Sequence, residues 1–157
     1  MRRRRHHTGF TLIELLVVIS IIGLIATLAS VALKNSRVKS RDTKRLGDMK
    51  QLHTALEVCH DANGGSYTTP TACCTLAVGA NNIYQCTGAL LTTYLTNIAN
   101  LKDPSNITNP SDDCPNTPTA DTCEYTITGI TGNTYTVRFY LEGNGGENKT
   151  MTPAGIQ

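Results

Sequence analysis

The sequence contains no tryptophan and only two phenylalanines and six tyrosines in 157 residues, so any globular core must be small. It has no G-x-S-x-G nucleophile elbow, no phosphate-binding glycine loop and no H-E-x-x-H zinc helix, and its Asp, Glu and His residues are scattered. No catalytic constellation can be assembled from it, and the chain reads as a non-enzyme. Six cysteines are present, Cys59, Cys73, Cys74, Cys86, Cys114 and Cys123, without a C-x-x-C pair or zinc-knuckle spacing. An even cysteine count beside a small core points to disulfides formed outside the cytoplasm. Adjacent cysteines rarely bridge each other, so Cys59 is expected with Cys73 or Cys74, and Cys86 with the remaining one. Cys114 and Cys123 bracket a Pro-rich loop and are expected to pair.

What the chain does have is segregation. Arg2 to Arg5 form a basic N-terminus, and residues 34–50 carry seven more cations against Asp42 and Asp48. From residue 51 onward there are three basic and nine acidic residues. Between the basic blocks lies FTLIELLVVISIIGLIATLASVAL, residues 10–33, without a proline. As a helix it would span roughly 36 Å, enough for a bilayer core of about 30 Å. The leading arginines place the N-terminus in the cytoplasm and send the rest across.

Such a run can be a secretory signal cut near Thr27-Leu28-Ala29, a plain anchor, or a segment retained after cleavage just before it. Glu14 discriminates among them. A carboxylate at mid-membrane costs about 2.5–3.5 kcal/mol on insertion scales, and a signal or plain anchor gains nothing from it. Near the end of the span it can snorkel to the interface. Cut between Gly9 and Phe10, the chain exposes an α-amino group one helical turn from Glu14, and the amine of a neighbouring copy then becomes a partner for the acid.

RRRRHHTG followed by FTLIELLVVISIIGLIATLAS resembles the N-terminal signal of the type IV pilin and type II secretion pseudopilin superfamily. The resemblance implies cleavage after Gly9 by prepilin peptidase and N-methylation of Phe10. It also implies Glu14 as the carboxylate that docks one subunit against the next. The implied partners are further copies of the chain in a helical homopolymer, the membrane before assembly, and an inner-membrane assembly platform with its ATPase. The implied locations are the inner membrane for the precursor and an extracellular pilus, or periplasmic pseudopilus, for the product. Gly23 matches a glycine common in these helices. Many pilins carry a proline where this chain has Val31, which points toward the pseudopilins and to less unwinding in a filament.

Leu46, Met49, Leu52, Leu56 and Cys59 recur on one helical face. One helix is therefore expected from about residue 10 to 62, with Gly64 near its C-cap. At about 80 Å it is too long for the head to bury. The expected organisation is a leader at 1–9, an apolar assembly half at 10–33, an amphipathic half at 34–63 and a disulfide-stapled head at 64–157. The head reads as α+β. Residues 64–87 form an irregular loop. Residues 89–101 form a short helix with Leu90, Leu91, Tyr94, Leu95 and Ile98 on one side. Residues 123–130 and 134–142 form a hairpin around Thr131-Gly132-Asn133, with Tyr135, Val137, Phe139 and Leu141 facing one way, and KTMTP adds a third strand.

The basic stem at 34–50 has no interleaved aromatics, so a solvated face meeting acidic neighbours is preferred to nucleic-acid contact. His53 and His60 read as helix-surface residues rather than a metal pair. Glu142, Asn144 and Glu147 in GNGGEN are the calcium candidates, along with Asp112-Asp113, although no D-x-D-x-D/N series is present; no cofactor is otherwise expected. Asn106 and Asn148 sit in glycosylation-type triplets. The leading function is a pilin subunit of a type IV pilus-like filament. The alternatives are a major pseudopilin and a monomeric membrane-anchored binding protein.

Overall fold

The computed structural model describes residues 9–76, 81–86, 89–105, 124–143 and 146–157. Cys114, Cys123, Asn106, Asp112, Asp113 and Asn144 lie outside them. The chain divides into two compact units, Met1–Arg37 and Val38–Gln157. Helix α1 runs from Leu12 to Ala62. Its end follows from the glycine pair: Gly64 and Gly65 take φ of 73° and 83°, and the Gly65 amide donates to the His60 carbonyl at 2.9 Å.

In the second unit α1 buries Arg45, Met49, Leu52, Ala55, Leu56 and Cys59, a stripe at helical spacing. Against it lies an antiparallel sheet in the order β1 (Thr126–Thr128), β2 (Thr136–Leu141), β3 (Glu147–Thr152), β4 (Gly155–Ile156). The β1–β2 register pairs Ile127 with Val137, and the β2–β3 register pairs Val137 with Met151. Alternation sends Val137 and Phe139 into the core with Tyr125, Ile127, Tyr135 and Met151, while Leu141 is half-buried. The sheet is held to α1 by polar tips as well as apolar bodies. The Tyr125 hydroxyl donates to Asp48 at 3.0 Å, and the Tyr67 and Tyr135 hydroxyls both donate to Glu57 Oε1, at 2.8 and 3.3 Å. Asn81 and Ile83 bond the outer side of β1, so that edge is covered.

The helix-plus-antiparallel-sheet class agrees with the sequence expectation. Two details differ. Helix α2 (Ala89–Tyr94) stops short of the expected end and is followed by a separate 3-10 turn at Ile98–Asn100. Leu91, Leu95 and Ile98 are buried, but Tyr94 is 43% exposed, so it does not share the core face. A fourth strand also follows KTMTP; its two residues are too few to give a period-two signal. Two disulfides, Cys59–Cys73 and Cys74–Cys86, fasten the loop after α1 to the helix and to the 3-10 turn at Ile83–Gln85.

The deepest polar feature is Arg45, fully buried on α1. Its guanidinium grips Asp103 through Nε at 2.6 Å and Nη2 at 2.8 Å, and donates to Asp42 at 2.7 Å and Ser105 at 2.7 Å. Glu142 Oε1 lies 2.7 Å from Nη2. Arg41 also pairs with Glu142, and Asp42 accepts the amides of Glu142 and Gly143 at 2.9 and 2.8 Å. One guanidinium thus ties the helix to the 103–105 loop and to the β2–β3 turn. That turn needs Gly146, at φ 84°, where a β-carbon would strike the Tyr140 hydroxyl.

Burial raises Asp48 and Glu124 above the usual carboxylate range, against the opposing bonds from the Tyr125 hydroxyl and the Asp103 amide. The hydrogen bond from Arg41 holds Glu142 below that range. Folded Asp48 and Glu124 therefore bind protons at a higher pH than in the unfolded chain, so mild acidification favours the fold. The Glu142 contribution, present above its unfolded pKa, is lost only as pH falls through its depressed folded value. The head's urea midpoint should hold or rise from about pH 7 to 5 and fall below about pH 4. Arg45→Met strands buried carboxylates and should cost about 3–5 kcal/mol in the same assay. Leu52→Ala should cost about 2–5 kcal/mol. Gly47→Ala, at an exposed helical site with open space around it, should add up to about 1 kcal/mol.

Candidate functional site

Phe10 to Leu33 are exposed along the whole apolar stretch, including Phe10 at 77% and Leu12 at 84%. The stretch is long and apolar enough to cross a membrane. Its few polar side chains are turned inward on the helix. The hydroxyls of Ser20, Thr27 and Ser30 donate to the carbonyls of Leu16, Leu24 and Ala26 at 2.8, 2.7 and 2.9 Å. They present no unsatisfied donor to an apolar environment. The helix passes unbroken through Gly23.

Gly9 and Phe10 precede the helix without regular structure, and residues 1–8 lie outside the described residues. Glu14 sits in the first turn among Phe10, Ile13, Val17 and Val18. Its Oε2 accepts the Thr11 amide at 2.8 Å and the Thr11 hydroxyl at 2.6 Å, and the Glu14 amide approaches Thr11 Oγ1 at 3.3 Å. This is a reciprocal capping box, with Thr11 at the N-cap and Glu14 three residues on. The T-x-x-E signature was available in the sequence; attention to the cost of the charge hides its local partner. Both bonds fall on Oε2, and Oε1 has no partner among the described residues. The site thus offers an acceptor oxygen next to Phe10, held on a rigid turn.

The other described sequence candidates have partners within the head. Glu142 is held by Arg41 and Arg45, and Glu147 faces Lys149 at 2.9 Å. His53 meets the Tyr135 hydroxyl at 2.7 Å, and the His60 ring lies 4.4 Å from that of Tyr67. Among the described residues no three His, Cys, Asp or Glu side chains gather as metal ligands.

Comparison with known proteins bears on the same stretch. Residues 4–30 match the prokaryotic N-terminal methylation motif. A probable minor fimbrial protein of Dichelobacter nodosus is 42% identical over 60 residues, covering 38% of this chain and 36% of the relative. The type IV major fimbrial protein FimA of Dichelobacter nodosus is 39% identical over 51 residues, covering 32% and 33%. The matches thus span about a third of the length of these curated relatives. No solved structure gives a significant match. Motif and fimbrial relatives converge on the segment that Glu14 caps, and over that segment the chain is similar to type IV fimbrial proteins.

Proposed function

We propose that the chain is a structural subunit that polymerises into a type IV pilus-like filament through the apolar half of α1. The observation that carries this reading is the uncovered apolar helix with a capped carboxylate at its start. Burying a single Leu, Ile or Val is worth about 1.5–3 kcal/mol, so the stretch requires lipid or other helices around it. In this reading the precursor sits in the inner membrane, prepilin peptidase cuts after Gly9, and the new Phe10 amine is methylated. An assembly platform and its ATPase then move the subunit into a helical polymer outside the cell. There Glu14 keeps its Oε2 on Thr11 and offers Oε1 to the terminal amine of a neighbouring copy. A charged pair in a low-dielectric stack is tolerated where a lone carboxylate is not, so the pair fixes register.

A second reading, the major pseudopilin of a type II secretion system, draws on Val31 in place of proline and on the unbroken helix. Fibres sheared from the cell surface that contain the chain favour the pilus; polymer confined to the periplasm favours the pseudopilin.

Glu14→Gln separates the two roles of the acid, because glutamine preserves the capping box and removes the charge. The variant should insert and be processed normally, while its yield in the sheared polymer falls at least tenfold. Normal polymer would remove Glu14 from docking. Mass spectrometry of the assembled chain should find Phe10 first and one methyl heavier. An intact leader there, or a start beyond Ala29, would overturn the reading.

A further inference from the structure

Between Glu14 and Lys34 the 19 residues Leu15–Leu33 carry no charge. As a helix they rise about 28 Å, close to a hydrocarbon thickness of about 30 Å. The two charges thus bracket one bilayer core. With Glu14 at one boundary, Lys34 to Arg37 occupy about the first 6 Å beyond the other, which is headgroup depth.

The side chains change character at that boundary. Within the apolar run the Ser20, Thr27 and Ser30 hydroxyls donate to carbonyls of their own helix. Past it, Lys34, Asn35, Ser36 and Arg37 are exposed, and none of their side chains has a hydrogen-bond or ion-pair partner among the described residues. No acid lies between Glu14 and Asp42, and Asp42 is taken by Arg45 and by the amides of Glu142 and Gly143. Lys34 and Arg37 are three residues apart on the helix, with β-carbons about 5–6 Å apart, so their like charges repel unless an anion sits between them. A phosphodiester accepts hydrogen bonds from ammonium, guanidinium, amide and hydroxyl alike.

We propose that Lys34 and Arg37, with Asn35 and Ser36, hold the phosphate of an anionic phospholipid at the outer face of the inner membrane. The proposal rests on the membrane stage of the pilin reading and adds a partner to it: a lipid that the subunit carries before assembly and gives up as the helix leaves the bilayer. Charge complementarity and continuity with the apolar span select this occupant. Residues 34–37 hold no aromatic on which a base could stack, so lipid is favoured over nucleic acid. The site also accounts for cations on the flank that crosses the membrane, where they are ordinarily scarce. Cleavage after Gly9 removes Arg2 to Arg5, which leaves Lys34 and Arg37 as the side-chain cations nearest the span.

The test reconstitutes the full-length processed chain in vesicles of equal parts phosphatidylglycerol and phosphatidylcholine. The chain is released in mild detergent and its retained lipids are counted by native mass spectrometry. Phosphatidylglycerol should be retained at least fivefold over phosphatidylcholine at about 50 mM salt, roughly the factor one cation supplies near an anionic surface, and less than twofold at about 500 mM. Lys34→Gln with Arg37→Gln should abolish the preference, and Lys34→Arg with Arg37→Lys should keep it. Lys44→Gln, about 16 Å beyond the span, should leave it unchanged. All these variants should insert normally and keep the head's urea midpoint. Equal retention of the two lipids overturns the site. So does a preference that survives the double glutamine variant, one that Lys44→Gln abolishes, or one that millimolar inorganic phosphate removes at constant ionic strength. Binding of duplex DNA through Lys34 and Arg37 without a lipid preference also overturns it. A chain that polymerises but shows no lipid preference leaves the filament reading intact, and a chain that fails to insert overturns both.

Discussion

The apolar residues from Phe10 to Leu33 are exposed among the described residues. The fifteen large hydrophobics exposed there represent, at about 1.5–3 kcal/mol each, a driving force of tens of kcal/mol, against a domain stability of only about 5–15 kcal/mol. The surroundings of this stretch therefore govern the state of the molecule more than the head's own fold does. Lipid and other helices are the two media that satisfy it, and the inward-turned hydroxyls of Ser20, Thr27 and Ser30 suit both. Two local donors reduce, without removing, the cost of the Glu14 charge in either medium.

The head solves the opposite problem. With few aromatics it cannot rely on a large core, and polar groups with strict geometry supply what apolar volume does not. Three tyrosines reach from the head onto carboxylates of α1, and Arg45 is shared among three chain segments. A buried ion cluster of this kind adds little net stability over an apolar replacement of the same shape. Its contribution is to define one arrangement: only one placement of the 103–105 loop and of the β2–β3 turn satisfies all its bonds.

Much of this was legible in the residues. Helix α1 announced itself through an apolar run, a one-faced stripe from Leu46 to Cys59, and the Asn63-Gly64-Gly65 stop. The hairpin was legible in the alternation of Tyr135, Val137 and Phe139. What remained hidden has physical causes. Arg45 and Asp103 are far apart in the chain, and an arginine in a basic stretch looks like its solvated neighbours until the fold buries it. Tyr94 fits the helical face on paper, but α2 ends there and the face does not continue. The Thr11–Glu14 cap follows a known local signature, yet it lies in a segment whose hydrophobicity dominates any reading.

The attachment points of the head have a mechanical consequence. Cys59–Cys73 grips the last turns of α1, while Arg45 grips the same helix some four turns earlier, about 20 Å away. The head is therefore riveted at two levels, one covalent and one ionic. Tension applied to the sheet enters the helix at both rivets together, in shear across several turns, a loading direction in which many bonds must fail at once instead of peeling open one by one.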